Sequence, residues 1–326
     1  MKNKLSLLGL CLSLVFLVLA FRNVPFASFF ANLKHLNPFF VLIATIINLL
    51  VMGLKAYRWK KVLSPIEKVS FRDALKATFI GYMGNNIFPF RAGEIIRIFV
   101  MSRYTKSSKP VLLSTVATER IVEGLAFLGT FLILSYIAPV PDWVRNSVGS
   151  IAWVILGAFI ALFLLTFYVK EDQKTLFRSR AIGQFFEGAK QMRSLSIFST
   201  TLFLSCVSWV VQIAIVWYAA RASGLSLGLT QSLFVMVVAN IAVAIPSTAG
   251  HLGTYEYAIW IALSVFDISK ADALGFAVTY HLLQWIPVTV IGWILMLRMR
   301  IGVKELQQEE NGNGPEAAQK KVTASF

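Results

Sequence analysis

The sequence predicts an all-α polytopic membrane protein, and three observations predict it. Of the 326 residues, 57% are apolar and only 14% are charged, whereas a soluble domain carries about 25% charged residues. Mean hydropathy is +0.68. Six stretches are apolar over the roughly 20 residues that a helix needs to cross a bilayer. The apolar excess excludes a disordered chain, and two cysteines are too few for a disulfide scaffold. Thirty-one Lys and Arg against 16 Asp and Glu leave a net charge of +15. A basic nucleic-acid face would have to be soluble, so this charge is expected in loops against an anionic membrane surface, with no nucleic-acid partner.

The six stretches are 5–21, 38–54, 111–137, 148–169, 197–220 and 274–297. Lys2 and Lys4 precede the first, and Val18-Leu19-Ala20 ends it. It therefore reads either as a cleavable signal peptide or as a first pass, and both readings start the chain in the cytoplasm. Two more apolar regions, 77–101 and 231–266, are interrupted by helix-breaking residues. One break runs from Asn85 to Glu94 around Pro89 and Gly93; the other contains Pro246, Gly250 and Gly253. Proline removes a backbone donor and glycine loosens the chain, so each break is a natural junction of two half-helices.

Charge bias decides whether these regions cross or return. If both return, 23 of the 31 basic residues fall on the cytoplasmic side, five fall outside, and Arg91, Arg97 and Arg120 stay at membrane depth. If 77–101 crosses, the basic loop 170–196 lands outside and the bias reverses. The prediction is six full transmembrane helices plus two re-entrant broken helix pairs, in a plasma (inner) membrane with both termini cytoplasmic. The two pairs then enter from opposite sides. Pro89, Ala92 and Gly93 match Pro246, Ala249 and Gly250 at a spacing of 157 residues, consistent with an inverted repeat. Residues 1–300 are expected to form the membrane domain and 301–326 a polar, disordered cytoplasmic tail. Within 170–196, Leu176, Phe177, Ile182, Phe185 and Phe186 alternate with basic residues, which fits either an amphipathic surface helix or a basic loop.

Arg91, Glu94, Arg97, Glu119, Arg120, Glu123 and Glu256 lie in or beside apolar segments. Each would cost about 2.5–3.5 kcal/mol unpaired at the bilayer centre. Arg91, Glu94 and Arg97 follow i, i+3, i+6 and share a helix side; Glu119 and Glu123 are i, i+4. Two readings follow. The charges form an ion-pair network that holds a re-entrant loop, or they line a polar cavity in which Arg91 and Arg97 receive an anionic group. A guanidinium suits phosphate bidentately, and the half-helix after Gly93 offers free N–H groups. Asn85 and Asn86 either bind the headgroup or cap the first half-helix.

His35, His251 and His281 have no ligand-type spacing, so no metal and no cofactor are expected. His251 reads as a proton relay or a hydrogen-bonded structural residue. Tyr57, Trp59, Trp143 and Trp217 read as interface anchors. No Gly-rich phosphate loop and no Ser/His/Asp set occurs, which gives no support for ATP-driven pumping.

Three blocks together carry a resemblance: Asn85-Asn86-x-x-Pro89-x-Arg91-x-Gly93-Glu94-x-x-Arg97, then Glu119-Arg120-x-x-Glu123-Gly124, then Pro246-Ser247-x-x-Gly250-x-x-Gly253-x-x-Glu256. In this order, and over nearly the whole chain, they resemble the flippase-like membrane domain of lysylphosphatidylglycerol synthases. That resemblance implies a lipid-headgroup-handling domain with Arg91, Glu94, Arg97, Glu119, Arg120 and Glu256 as its polar core. In the two-part enzymes a soluble domain transfers lysine to phosphatidylglycerol and the membrane domain translocates the product. This chain ends soon after its last apolar stretch, so lysyl transfer by it is not expected, and His251 stands where the family pattern suggests a small residue.

The expected function is a transporter or flippase that binds and translocates an anionic phospholipid or lipid-linked phosphate. The alternatives are a membrane enzyme or enzyme subunit for aminoacyl or glycosyl transfer to a lipid, with Glu119 and Glu123 as the acid/base pair, or a non-catalytic partner of a separately encoded lipid-modifying enzyme.

Overall fold

The computed structural model describes residues 14–22, 33–88, 91–137, 180–244 and 249–302, together with scattered positions in 24–30 and 142–164 and Glu305. Among them the secondary structure is helical throughout. The long elements are α1 (Pro38–Leu63), α2 (Phe71–Ile87), α3 (Gly93–Ser102), α4 (Lys109–Ile137), α5 (Arg180–Ala189), α6 (Leu195–Ala222), α7 (Leu229–Ala244), α8 (Thr254–Ser264) and α9 (Lys270–Arg298). Local chemistry starts several of them. Asn37, Ser70, Ser194 and Ser269 each accept a backbone N–H of the first turn, and Pro38 follows Asn37 where its missing donor costs nothing.

α1, α6 and α9 are long and apolar enough to cross a membrane, and they cover the predicted stretches 38–54, 197–220 and 274–297. α4 covers 111–137 over 29 residues but carries charges in its middle. The stretches 5–21 and 148–169, like 170–179 and most of 301–326, lie largely or wholly outside the described residues. Outward faces confirm the apolar surroundings. Along α1, Phe39, Leu42, Ile46 and Leu50 form an exposed stripe at helical spacing, and Leu282, Ile286, Val290, Trp293 and Leu297 do the same on α9. Such contiguous apolar surface marks contact with lipid rather than water. The chain is a helical, multi-pass membrane protein.

Both interrupted regions are helix–break–helix hairpins. α3 has 10 residues and α8 has 11, so each is about 15–17 Å long, half a bilayer. α2 packs on α3, and α7 packs on α8. The first hairpin closes on glycine. A Cβ on Gly93 would lie 1.9 Å from the Gly81 carbonyl oxygen and 2.5 Å from Asn85 Oδ1, while one on Gly81 would lie 2.7 Å from Arg97 Cβ. Two non-glycine residues adopt left-handed backbone at the breaks, Arg91 (φ 54°) and His251 (φ 58°). They are 160 residues apart, so the matching of Gly93 to Gly250 at 157 does not superpose equivalent backbone positions. α3 starts at Gly93, whereas α8 starts after Gly253. Pro89 and Pro246 lie outside the described residues.

Contacts between turns sort the helix ends into two groups. At one end Glu67 of the α1–α2 turn accepts from Lys106 and Ser107 of the α3–α4 turn, and Tyr104 donates to Met299 beyond α9. At the other end Asn37 donates to Ala222 at the close of α6, and Lys270 donates to the carbonyls of Leu19 and Arg22. The first hairpin therefore enters from one end and the second from the opposite end. Each sits in its own apolar core: Trp59, Ile80, Met83, Ile96 and Leu112 pack around the first, and Phe127, Ile215, Phe234, Ile259 and Phe276 around the second. The charged residues fall between these cores.

α9 carries Pro287 in its interior. A proline there removes the hydrogen bond to the carbonyl four residues earlier. That carbonyl is Leu283 O, and Asn48 Nδ2 of α1 donates to it at 3.4 Å. The segment 180–189, left open between helix and loop, is a helix. Its Phe185 and Phe186 pack with Ile121 and Phe159, and a Cβ on Gly188 would meet Ser114 Oγ at 2.1 Å. Its apolar side is thus covered by protein, chiefly α4. Trp59, read as an interface anchor, is fully buried and donates to Thr115 Oγ1 at 3.0 Å.

Two outcomes are expected. Gly93→Ala should destabilise by about 1–3 kcal/mol through overpacking, whereas Gly53→Ala, with open space around it, should not lower the melting temperature; thermal unfolding in detergent compares them. Glu67 lies in a turn outside the helices, and the Lys106 backbone N–H, with further bonds from Ser107, holds its carboxyl below the usual carboxylate range. Its contribution is present above an unfolded pKa of about 4.3 and is lost as pH falls through the lower folded value. The melting-temperature gap between wild type and Glu67→Gln should therefore be open at pH ~6 and close below pH ~4.

Candidate functional site

Between the two cores lies a cavity of about 410 Å³. Its wall brings together both helix breaks: Asn85, Asn86 and Arg91 from the first, Gly250 and His251 from the second. The breaks touch directly, since a Cβ on Gly250 would lie 3.4 Å from the Asn86 carbonyl oxygen. Lys55, Arg120 and Glu123 contribute charge to the same wall, and Tyr82, Trp209, Tyr255 and Trp285 contribute rings.

Behind the wall is an ion-pair network whose centre is Glu119, with 0% exposure. Glu119 accepts from Arg58 Nε at 3.0 Å on one oxygen, with Arg58 Nη2 ion-paired to the same oxygen at 2.9 Å, and accepts from Arg97 Nη2 on the other. Arg58 reaches on to Glu123 Oε1 at 3.2 Å and donates to Ser205 Oγ at 2.9 Å. Arg97 stacks on Trp59, its guanidinium carbon 3.8 Å from the ring centre. Arg120 is ion-paired with Glu94 at 2.7 Å and donates to Glu123 at 2.5 Å. Lys55 and Arg120 both donate to Tyr82 OH, at 3.0 and 3.2 Å. Four cations (Lys55, Arg58, Arg97, Arg120) thus meet three carboxylates (Glu94, Glu119, Glu123), and the surplus cation faces the cavity.

The nine residues singled out for headgroup binding divide into three roles. Arg91, Arg120, Glu123, Asn85 and Asn86 line the cavity. Glu94, Arg97 and Glu119 do not; they form the network, with Arg97 only 1% exposed. Glu256 stands apart from both. One of its oxygens accepts Gly253 N at 2.7 Å, capping α8, and the other lies 2.6 Å from His281 Nδ1. Asn86 Nδ2 donates to Thr289 Oγ1 at 2.8 Å and so ties α2 to α9. Arg91 is exposed within the cavity, and no described carboxylate pairs with it.

Lys55, Arg58 and Tyr82 are not among the residues the sequence singles out, and His281 stands there only as a histidine without ligand-type spacing. Ending the second apolar stretch at residue 54 assigns Lys55 and Arg58 to a cytoplasmic loop. The helix instead runs to Leu63, and both lie inside the protein. The signal was there: Ala56, Trp59 and Leu63 continue the apolar face at i, i+3, i+7 past the charges.

Both breaks and the buried arginines follow the three sequence blocks, and the comparison with known proteins agrees. Residues 6–292 match the lysylphosphatidylglycerol synthase TM region family. The chain belongs to that family. It is similar to two UPF0104 membrane proteins of Methanocaldococcus jannaschii. One is 23% identical over 214 residues, 65% of this chain and 92% of that protein. The other is 21% identical over 320 residues, 90% of this chain and 94% of that protein. It is also similar to the glycosyltransferase AglD of Haloferax volcanii, 22% identical over 348 residues that cover 92% of this chain and 55% of that protein.

Arg58→Leu should destabilise by about 3–5 kcal/mol, because Glu119 loses half its compensation in a dry site. Arg91→Ala should change stability by less than about 0.5 kcal/mol, since it removes an exposed side chain with no ion pair. Thermal unfolding of the two variants side by side checks the contrast.

Proposed function

We propose that the cavity binds the phosphate of an anionic phospholipid or lipid-linked phosphate and passes the headgroup across the membrane. The observation that carries this reading is the meeting of two oppositely entering helix breaks at one cavity with Lys55, Arg91 and Arg120 on its wall. Broken half-helices at a repeat interface are where transporters hold their substrates. Guanidinium forks suit phosphate oxygens. On this reading the two hairpins are re-entrant pairs and the remaining long apolar segments are full passes. The end that carries Lys60, Lys61, Arg103, Lys106 and Arg298 faces the cytoplasm of a plasma membrane, with both chain termini on that side.

The apolar stripe on α1 and the polar cavity on its other face suit a lipid whose tails stay outside while its headgroup moves through the protein. Arg97 supports the site indirectly: by holding Glu119 and stacking on Trp59 it fixes α3 against α1 and α4. Headgroup transfer is the second reading, and similarity to a protein named a glycosyltransferase favours it. The carboxylate on the cavity wall that could serve as acid or base is Glu123, however, and it is already committed to Arg58, Arg120 and Lys55. A carboxylate held by three cations is poorly placed to exchange protons with a substrate.

In proteoliposomes reconstituted with the full chain, a fluorescent anionic phospholipid should change leaflet, and Lys55→Ala with Arg91→Ala should slow this at least tenfold without lowering the melting temperature. Wild-type rates in the double variant would overturn the assignment.

A further inference from the structure

The cavity wall carries more amide groups than a phosphate needs. Asn48, Asn86, Gln212 and Asn240 all line it, and the NH2 group of each already donates within the protein. Asn48 Nδ2 donates to the Leu283 and Gln284 carbonyls at 3.4 Å. Asn86 Nδ2 donates to Thr289 Oγ1 at 2.8 Å and the Trp285 carbonyl at 3.4 Å. Gln212 Nε2 donates to Ser208 O at 3.4 Å, and Asn240 Nδ2 to Met236 O at 2.8 Å. Turning any of these amides over would set its oxygen against a backbone carbonyl, so the orientation is fixed by repulsion as well as attraction. What remains is four carbonyl oxygens that accept no hydrogen bond from a described residue. Asn85 Oδ1 is a fifth such oxygen, buried beside the first break.

A wall of acceptors wants donors, and two headgroup chemistries supply them: hydroxyls and ammonium. Electrostatics separates the two. Lys55, Arg91 and Arg120 stand on this wall with Glu123 as the counter-charge, and Glu123 is saturated by cations. An ammonium group would enter a site with surplus positive charge, whereas a neutral polyol meets no such penalty. The half-buried Trp285 on the same wall adds aromatic surface of the kind that suits the C–H side of a sugar-like ring.

We infer that the headgroup handled here is a phosphate joined to a neutral polyhydroxyl group, such as a sugar or cyclitol phospholipid, and not a bare phosphate or an aminoacylated or amine headgroup. The inference rests on the phosphate-binding reading above. Lys55, Arg91 and Arg120 hold the phosphate, and the amide oxygens accept from the hydroxyls. Gln212 and Asn240 are the residues that report on this, because each bonds only within its own helix and ties no helices together.

Affinities of the full chain for three detergent-solubilised lipids, measured by native mass spectrometry, test it: phosphatidic acid, phosphatidylinositol and phosphatidylethanolamine. Phosphatidylinositol should bind about tenfold or more tighter than phosphatidic acid, the gain of one or two net hydrogen bonds, and phosphatidylethanolamine should bind most weakly. In Gln212→Leu with Asn240→Leu the ratio of phosphatidylinositol to phosphatidic acid affinity should fall at least fivefold. Equal binding of these two lipids by the wild type, or an unchanged ratio in the folded variant, would overturn the polyol assignment while leaving phosphate binding in place. Preference for phosphatidylethanolamine would overturn it in favour of an ammonium headgroup. Binding of none of the three would sink the underlying phosphate reading itself, and the wild-type comparison decides even if the variant does not fold.

Discussion

Glu119 is the constraint on which the structure turns. A carboxylate with no exposure to solvent is tolerable only if its charge is balanced nearby, and the balance comes from two other helices. Arg58 belongs to α1, Arg97 to α3 and Glu119 to α4. Satisfying this one group therefore fixes a long pass, a half-helix and a second long helix relative to one another. Ser205 of α6 joins through Arg58, and Arg120, the residue after Glu119, reaches Glu94 and Tyr82. The network acts as a rivet at a depth where lipid-facing packing alone gives helices little reason to associate in one register.

Once the rivet is set, the cavity follows. The first hairpin folds tightly on Gly81 and Gly93, which leaves the chain between α2 and α3 to turn in place and carries Arg91 to the wall through left-handed backbone. The second hairpin presents its own break to the first, with Glu256 capping α8 and leaning on His281. Irregular backbone at membrane depth is sustainable where protein buries it or water reaches it, and here both conditions hold, with packing on one side and a polar cavity on the other. The same rule accounts for Asn48, whose amide takes the place of the helix bond that Pro287 removes.

The separation of roles among the cations is the chemical point. Arg58 and Arg97 are as charged as Arg91, yet their charge is consumed internally, and removing either unbalances the fold. Lys55, Arg91 and Arg120 keep a face toward the cavity. Glu94 and Glu119 stand behind the cavity wall, whereas Glu123, which also pairs with Arg58, is the carboxylate among the lining residues. The fixed orientation of the wall amides extends this logic from charge to hydrogen bonding.

Much of this was legible in the sequence. Apolar run lengths located the helices over 38–54, 111–137, 197–220 and 274–297, the Gly-bearing clusters located both breaks, and arginines and carboxylates in apolar segments marked where polar structure had to exist, because each of these is a local property of a chain in lipid. Partnership was not local. Arg58 bonds to Glu119 across 61 residues and Asn48 to Leu283 across 235, and Glu256, which resembles the other buried carboxylates in sequence, capped a different helix altogether. Lys55 was displaced to a loop by a hydropathy count that stopped at the first charge. The sequence alone determined that charges lie within apolar segments beside two helix breaks, since the cost of burying them is set by residue type. Only the tertiary structure decided which of them neutralise each other and which are left facing the cavity, because that depends on which helices are brought within a few ångströms.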